Sequence, residues 1–357
     1  MALPFLLVPA AIALAGYGAK KGYDGYQKHS EADEIIDRAK DAYESQRKIV
    51  VTNEKNTHTA LERLGKKELE IGQGIYEFKK LADSLLKKLE KNSSQEFKLT
   101  IPKHNLDKIE EYGFTATGVL GTAAGAGAAG AAAGFAVYGG VMALGAASTG
   151  TAISALSGVA ATNATLAAIG GGSLATGGLG MAGGTAILGG AVVAPVLAIA
   201  GWAYDSHGDE AIKNAKKAAS EANSAIEKLK KSSELLANTN IYAQKIEKAI
   251  STLNEEFVKY HITLRDIESN LNLTSGESRN NYISSLSSEI MQTINNGYML
   301  ASLIVEIIIT PIFRIKNNAN DGVIVFEEDP SGNKIINESA INNVINNAEN
   351  KLNGFGK

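Results

Sequence analysis

Cysteine is absent from the 357 residues, which excludes disulfide staples, thiolate metal ligands and cysteine nucleophiles. Only 6 prolines occur, a scarcity that suits long uninterrupted helices. The 5 histidines, His29, His58, His104, His207 and His261, lie far apart, and none pairs with another at helical spacing. No zinc site is read from them. Neither sign of charge dominates: Lys+Arg 35 against Asp+Glu 38, net −3, leaving no electrostatic footprint for nucleic acid. No residue is assigned a catalytic, cofactor-binding or metal-binding role, and the chain reads as a non-enzyme.

The largest absence is local. No Asp, Glu, Lys, Arg or His occurs from Tyr112 to Tyr204, a run of 93 residues that holds 23 of the 37 glycines. With charges scattered at random through a chain 20% charged, such a gap has a probability of roughly one in a billion. A lipid bilayer, a dry protein core or a phosphate-binding loop would each forbid charge there.

Around this tract the text is charged and helical in period. Ile35, Ala39, Ala42, Gln46, Ile49, Asn53, Ala60, Leu64, Ile71, Ile75, Phe78, Ala82, Leu85 and Leu89 fall mostly three or four apart, one apolar stripe along a helix over 29–91. Gly65, Gly72 and Gly74 are points where that helix is expected to bend or break. The stripe resumes over 205–270, and a third helix is expected over 279–310, ending at Pro311. The apolar last turns of the third helix, Tyr298 to Phe313, read as bundle core. Val323 to Phe326, the turn Asp329 to Asn333, and Lys334 to Ile336 suggest a small β-hairpin. The boundaries follow: an apolar N-terminal segment at 1–28, stalk helix and loop at 29–111, an uncharged head at 112–204, returning stalk helices at 205–313, and hairpin with Asn-rich tail at 314–357. The opening MALPFLLVPAAIALAG is shorter than the roughly 20 residues a lone span needs and reads as a short anchor or an apolar cap. No basic residue precedes it, as a secretory signal would want, yet Ala13-Leu14-Ala15 mimics a cleavage site, so secretion stays open.

Motif scanning finds Gly178-Leu-Gly180-Met-Ala-Gly183 and Gly125-Ala-Gly127-Ala-Ala-Gly130, both fitting G-x-G-x-x-G. Composition alone supplies such hits, and neither follows a strand. Gly172 to Gly177 is followed by Gly178 where a P-loop needs Lys. Nucleotide binding is therefore set aside. The lipid reading draws on small-residue pairs that let helix backbones touch: Gly121 with Gly125, Gly130 with Gly134, and Gly180 with Gly184. Gly121 to Ser148, Ile153 to Ile169 and Ala186 to Trp202 are the stretches of suitable length. Trp202 and Tyr204 stand where an interfacial belt belongs. A tract so rich in Gly and Ala is weakly hydrophobic, which fits a segment held in a soluble form and inserted later.

The block beginning Thr149-Gly-Thr-Ala-Ile-Ser-Ala-Leu-Ser-Gly, with Gly170-Gly-Gly-Ser-Leu-Ala and Gly183-Gly-Thr-Ala-Ile-Leu-Gly-Gly, resembles a bacterial family of glycine-rich (glycine-zipper), membrane-associated proteins. The likeness extends over residues 1–313. Relatives carry Trp where this chain has Ala168, so one aromatic anchor would be missing. The resemblance implies membrane association and no enzymatic activity. In layout alone, stalk plus uncharged head is similar to the α-helical pore-forming toxins.

The expectation is an all-α protein: an elongated, antiparallel, coiled-coil-like stalk of the 29–91, 205–270 and 279–310 helices carrying a glycine-zipper head. Its function is read as membrane insertion and perforation through transmembrane helices of the head, as a homo-oligomer or with related helical subunits. The alternatives are a non-perforating membrane-anchored scaffold or effector partner working through the stalk, and a soluble oligomer with a glycine-rich core.

Overall fold

The computed structural model describes residues 23–92, 97–122, 135–136, 208–316, 326–330 and 333–355. Helix accounts for 87% of them, and the class is all-α. Among the described residues six helices are present: α1 (Tyr23–Asn92), α2 (Lys103–Thr122), α3 (Gly208–Leu273), α4 (Gly276–Ser285), α5 (Ser287–Ile308) and α6 (Glu338–Asn353). Residues divide into two units, 1–52 with 192–234 and 53–191 with 235–357, so α1 and α3 contribute to both.

The first unit has an alanine-rich interior. Ala32, Ala39 and Val50 of α1 are buried, as are Ala215, Ala222, Ala225, Ile226 and Leu229 of α3. Val50 takes the inward position that the stripe assigned to Ile49, which is exposed with Val51.

The second unit is a helical bundle, and its hydrogen bonds fix the direction of each member. Thr57 donates to the Leu236 carbonyl at 2.8 Å, Arg63 pairs with Glu247 at 2.7 Å, and Lys88 pairs with Glu268 at 2.6 Å. The partner number on α3 rises with the number on α1, so α1 and α3 run parallel. The antiparallel stalk expected from the sequence is corrected on this point. The reason is α2, which folds back along α1: Glu110 lies 3.6 Å from Lys79, while Tyr112 reaches Glu68. α2 thus runs against α1, and α3 runs in the direction of α1 again. Further bonds from Thr100 to Asn295 and from Asn105 to Ser302, both 2.9 Å, set α5 parallel to α2. Lys245 to Asn342 at 2.6 Å and the Tyr260–Phe355 ring contact set α6 parallel to α3.

α5 is the most apolar member, with 12 of its 22 residues buried. Ile290, Ile294, Leu300, Ile304 and Ile307 join Leu64, Ile75, Phe78 and Leu85 of α1 and Phe257 and Leu264 of α3 in one core. The third helix expected as one piece is two. Around Leu286 the Ser285 and Ser287 hydroxyls donate to the Tyr282 and Ser284 carbonyls, local bonds that compete with the helical ladder. α1, in contrast, passes Gly65, Gly72 and Gly74 unbroken.

After α5, three extended segments meet through isolated antiparallel bridges, Phe313 with Ile336, Ile315 with Phe326, and Glu328 with Lys334. No sheet forms among the described residues. Asp329 closes the turn by accepting from the Asn333 amide at 2.8 Å, and the Lys334 ammonium lies 4.7 Å from the Phe326 ring centre.

Candidate functional site

Leu61, Leu64, Glu68, Ile75 and Phe78 follow one another at three, four or seven residues along α1, and all are buried. Glu68 therefore occupies a core position, and its side chain is 1% exposed. One turn further, Gly72 meets α2. A Cβ on Gly72 would overlap the Ala116 Cβ and come 3.1 Å from Tyr112 Cε1. From the other side, a Cβ on Gly113 would lie 3.3 Å from the Gly72 carbonyl oxygen and from the Tyr76 nitrogen. The helices come so close that a side chain at Gly72 would collide with α2 and one at Gly113 would crowd the α1 backbone.

Tyr112 donates its hydroxyl proton to the Glu68 backbone carbonyl at 2.6 Å. That bond satisfies the buried phenol and ties the first residue of the uncharged tract to α1. The Glu68 carboxyl is treated differently: its Oε2 has no hydrogen-bond partner among the described residues. Burial pushes this carboxyl well above the usual carboxylate range, because a low-dielectric site disfavours the ionised form. Burial first, and the Glu68 carboxyl second, push the Tyr112 phenol well above its ordinary value. Phe135, itself buried, packs its ring on Tyr112 with centroids 6.0 Å apart. Here a residue from inside the uncharged tract reaches the bundle core. The site is a buried carboxyl beside a hydrogen-bonded phenol at a tight helix crossing.

A shallow groove of about 550 Å³ is lined by Arg63, Gln244, Lys245, Glu247, Lys248 and Ser251, but Arg63 is bound to Glu247 and Lys245 to Asn342. His261 lies beside the rings of Phe78 and Phe257, edge-on to the first and tilted to the second. Among the described residues no group of three or more His, Asp or Glu could hold a metal ion.

Of the residues singled out in the sequence, Gly121 lies in the last turn of α2. Gly125, Gly130, Gly134, Gly180, Gly184, Trp202 and Tyr204 lie outside the described residues. The glycines that bring helices together here are Gly72, Gly113 and Gly297. Glu68 escaped the apolar scan because of its type. Its spacing, four residues after Leu64 and seven before Ile75, was the available signal.

The transmembrane, pore-forming and toxin-like reading is corrected. Among the described residues no helix is long and apolar enough to cross a membrane. The most apolar, α5, carries Glu289 and Glu306 and is consumed by the bundle core. Comparison with protein-family models, curated proteins and solved structures gives no match to this chain.

Proposed function

We propose that the protein is a non-enzymatic helical scaffold that holds its uncharged, glycine-rich tract against a lipid surface without perforating it. The observation that carries this reading is the contrast in charge across one docked helix. α2 begins with Lys103, His104, Asp107, Lys108, Glu110 and Glu111, and from Tyr112 onward charge vanishes for 93 residues. Glu68 apart, the charged side chains and ion pairs of the described helices lie outside the core. Moving such groups into lipid costs roughly 2.5–3.5 kcal/mol each at the bilayer centre, so the bundle stays in water and the tract alone suits an apolar surface.

Flotation tests the reading. Full-length protein is mixed with phospholipid vesicles loaded with a self-quenching dye and spun through a density gradient. The expected result is protein floating with the vesicles while the dye stays quenched. Protein left at the bottom of the gradient overturns the lipid assignment. Flotation with dye release overturns the non-perforating one.

A further inference from the structure

We infer that the α1–α2 crossing is a proton-dependent latch. α2, and with it the start of the uncharged tract, is held against α1 while the Glu68 carboxyl is protonated, and is released as that carboxyl ionises. The geometry gives three reasons. The carboxyl is fully enclosed, and one of its oxygens has no hydrogen-bond partner among the described residues. A carboxylate left there would be a buried charge without a counter-ion, among the costliest arrangements in a protein interior. The crossing beside it has little slack, since Gly72 has no room for a Cβ and Gly113 lies close against the α1 backbone. Water can therefore reach the carboxylate only if the helices part. And what parts is specific: Tyr112, bonded to the Glu68 carbonyl, and Phe135, packed at a tilt against Tyr112, both belong to the uncharged tract.

The groups facing the carboxyl leave no competing titration. From α2 the Tyr112 phenol lies near enough for the carboxyl to raise it, and its proton is engaged by the backbone oxygen. Burial is what raises the carboxyl, and among the described residues no charged group of α1, α3 or α5 adds to it. The sign follows from linkage. A carboxyl whose folded value is raised contributes docking strength that is fully present below its ordinary value. That strength is lost as pH rises through the raised value. Acid closes the latch and alkali opens it, whatever the tract touches when free.

Amide hydrogen exchange read along the whole chain tests this without any lipid, so its outcome is independent of the flotation result. Exchange is followed from pH 5 upward, corrected for the intrinsic pH dependence of the chemistry. In α2 from 110 to 118 the opening equilibrium should rise about tenfold per pH unit until the raised value is passed, one proton being lost on opening. In α5 from 290 to 304 it should not follow. In Glu68→Gln, which keeps the shape and cannot ionise, the α2 slope should vanish. Glu68→Met, similar in length and apolar, serves the same purpose if the amide does not fold. A flat profile in the native chain, a slope surviving in either variant, or an equal slope in α5 would each overturn the latch.

Discussion

Phe78 of α1 fills the space that Gly297 of α5 leaves open. A Cβ on Gly297 would overlap the Phe78 Cζ and come 2.6 Å from its Cε2. The ring has no easy retreat, because Phe257 lies 5.1 Å and Tyr298 5.3 Å from it, centre to centre. Gly297→Ala should therefore destabilise the chain by about 1–3 kcal/mol, the usual cost of overpacking, although alanine is the better helix former. Urea unfolding followed by circular dichroism measures it. A neutral or stabilising result would mean that the Phe78 ring is free to move.

The parallel pairing of α1 with α3 is testable because the chain has no cysteine of its own. Arg63→Cys with Glu247→Cys should be joined within one molecule by a short thiol-reactive linker, and so should Lys88→Cys with Glu268→Cys. Arg63→Cys with Glu268→Cys should not, since 268 lies 21 positions beyond 247, about 30 Å along a helix. An antiparallel arrangement would reverse that pattern of bands on a denaturing gel.

These two relationships show where sequence reasoning reached and where it stopped. The helical class and the long members were legible because Leu64, Ile75, Phe78, Leu85 and Leu89 repeat at helical period. Direction was not, because an apolar stripe looks the same read either way. What decides it is α2 folding back along α1, and the spacing within the stripe carries no sign of that. The break at Leu286 depends on serine hydroxyls choosing nearby carbonyls, a competition that periodicity does not register. Gly72 was visible as a weak point of a helix but not as a contact, for its meaning lies in Ala116, 44 residues away. Glu68 was hidden by its own chemistry: a scan for apolar residues steps over an acid in a core position.

His261 bears on pH in the opposite sense to Glu68. Burial near Phe78 and Phe257 pushes its imidazole below the ordinary value, Glu77 opposes this, and Arg265 adds to it. A base whose folded value is depressed contributes stability above its ordinary value and loses it as pH falls. In an NMR titration the His261 ring protons should show a midpoint below 6.5. A midpoint at or above that value would place the ring in water or beside a dominant carboxylate.

The crossing itself offers a paired test, because two small residues share one space. Gly72→Ala puts a methyl into the Ala116 methyl and close to the Tyr112 ring, with an expected cost of about 1–3 kcal/mol. Ala116→Gly removes the opposing methyl and weakens α2, by roughly 1 kcal/mol from helix propensity alone. If the two methyls collide as the geometry requires, the double variant should be more stable than the sum of the single effects by about 1 kcal/mol or more, a coupling typical of residues in contact. Rescue should be incomplete, since the Tyr112 ring remains against the new methyl and its bond to the Glu68 carbonyl holds it in place. Denaturant midpoints of the four proteins supply the cycle. Strict additivity would mean that α1 and α2 do not meet at Gly72, and with that contact the account of Glu68 as a residue sealed by α2 would fall.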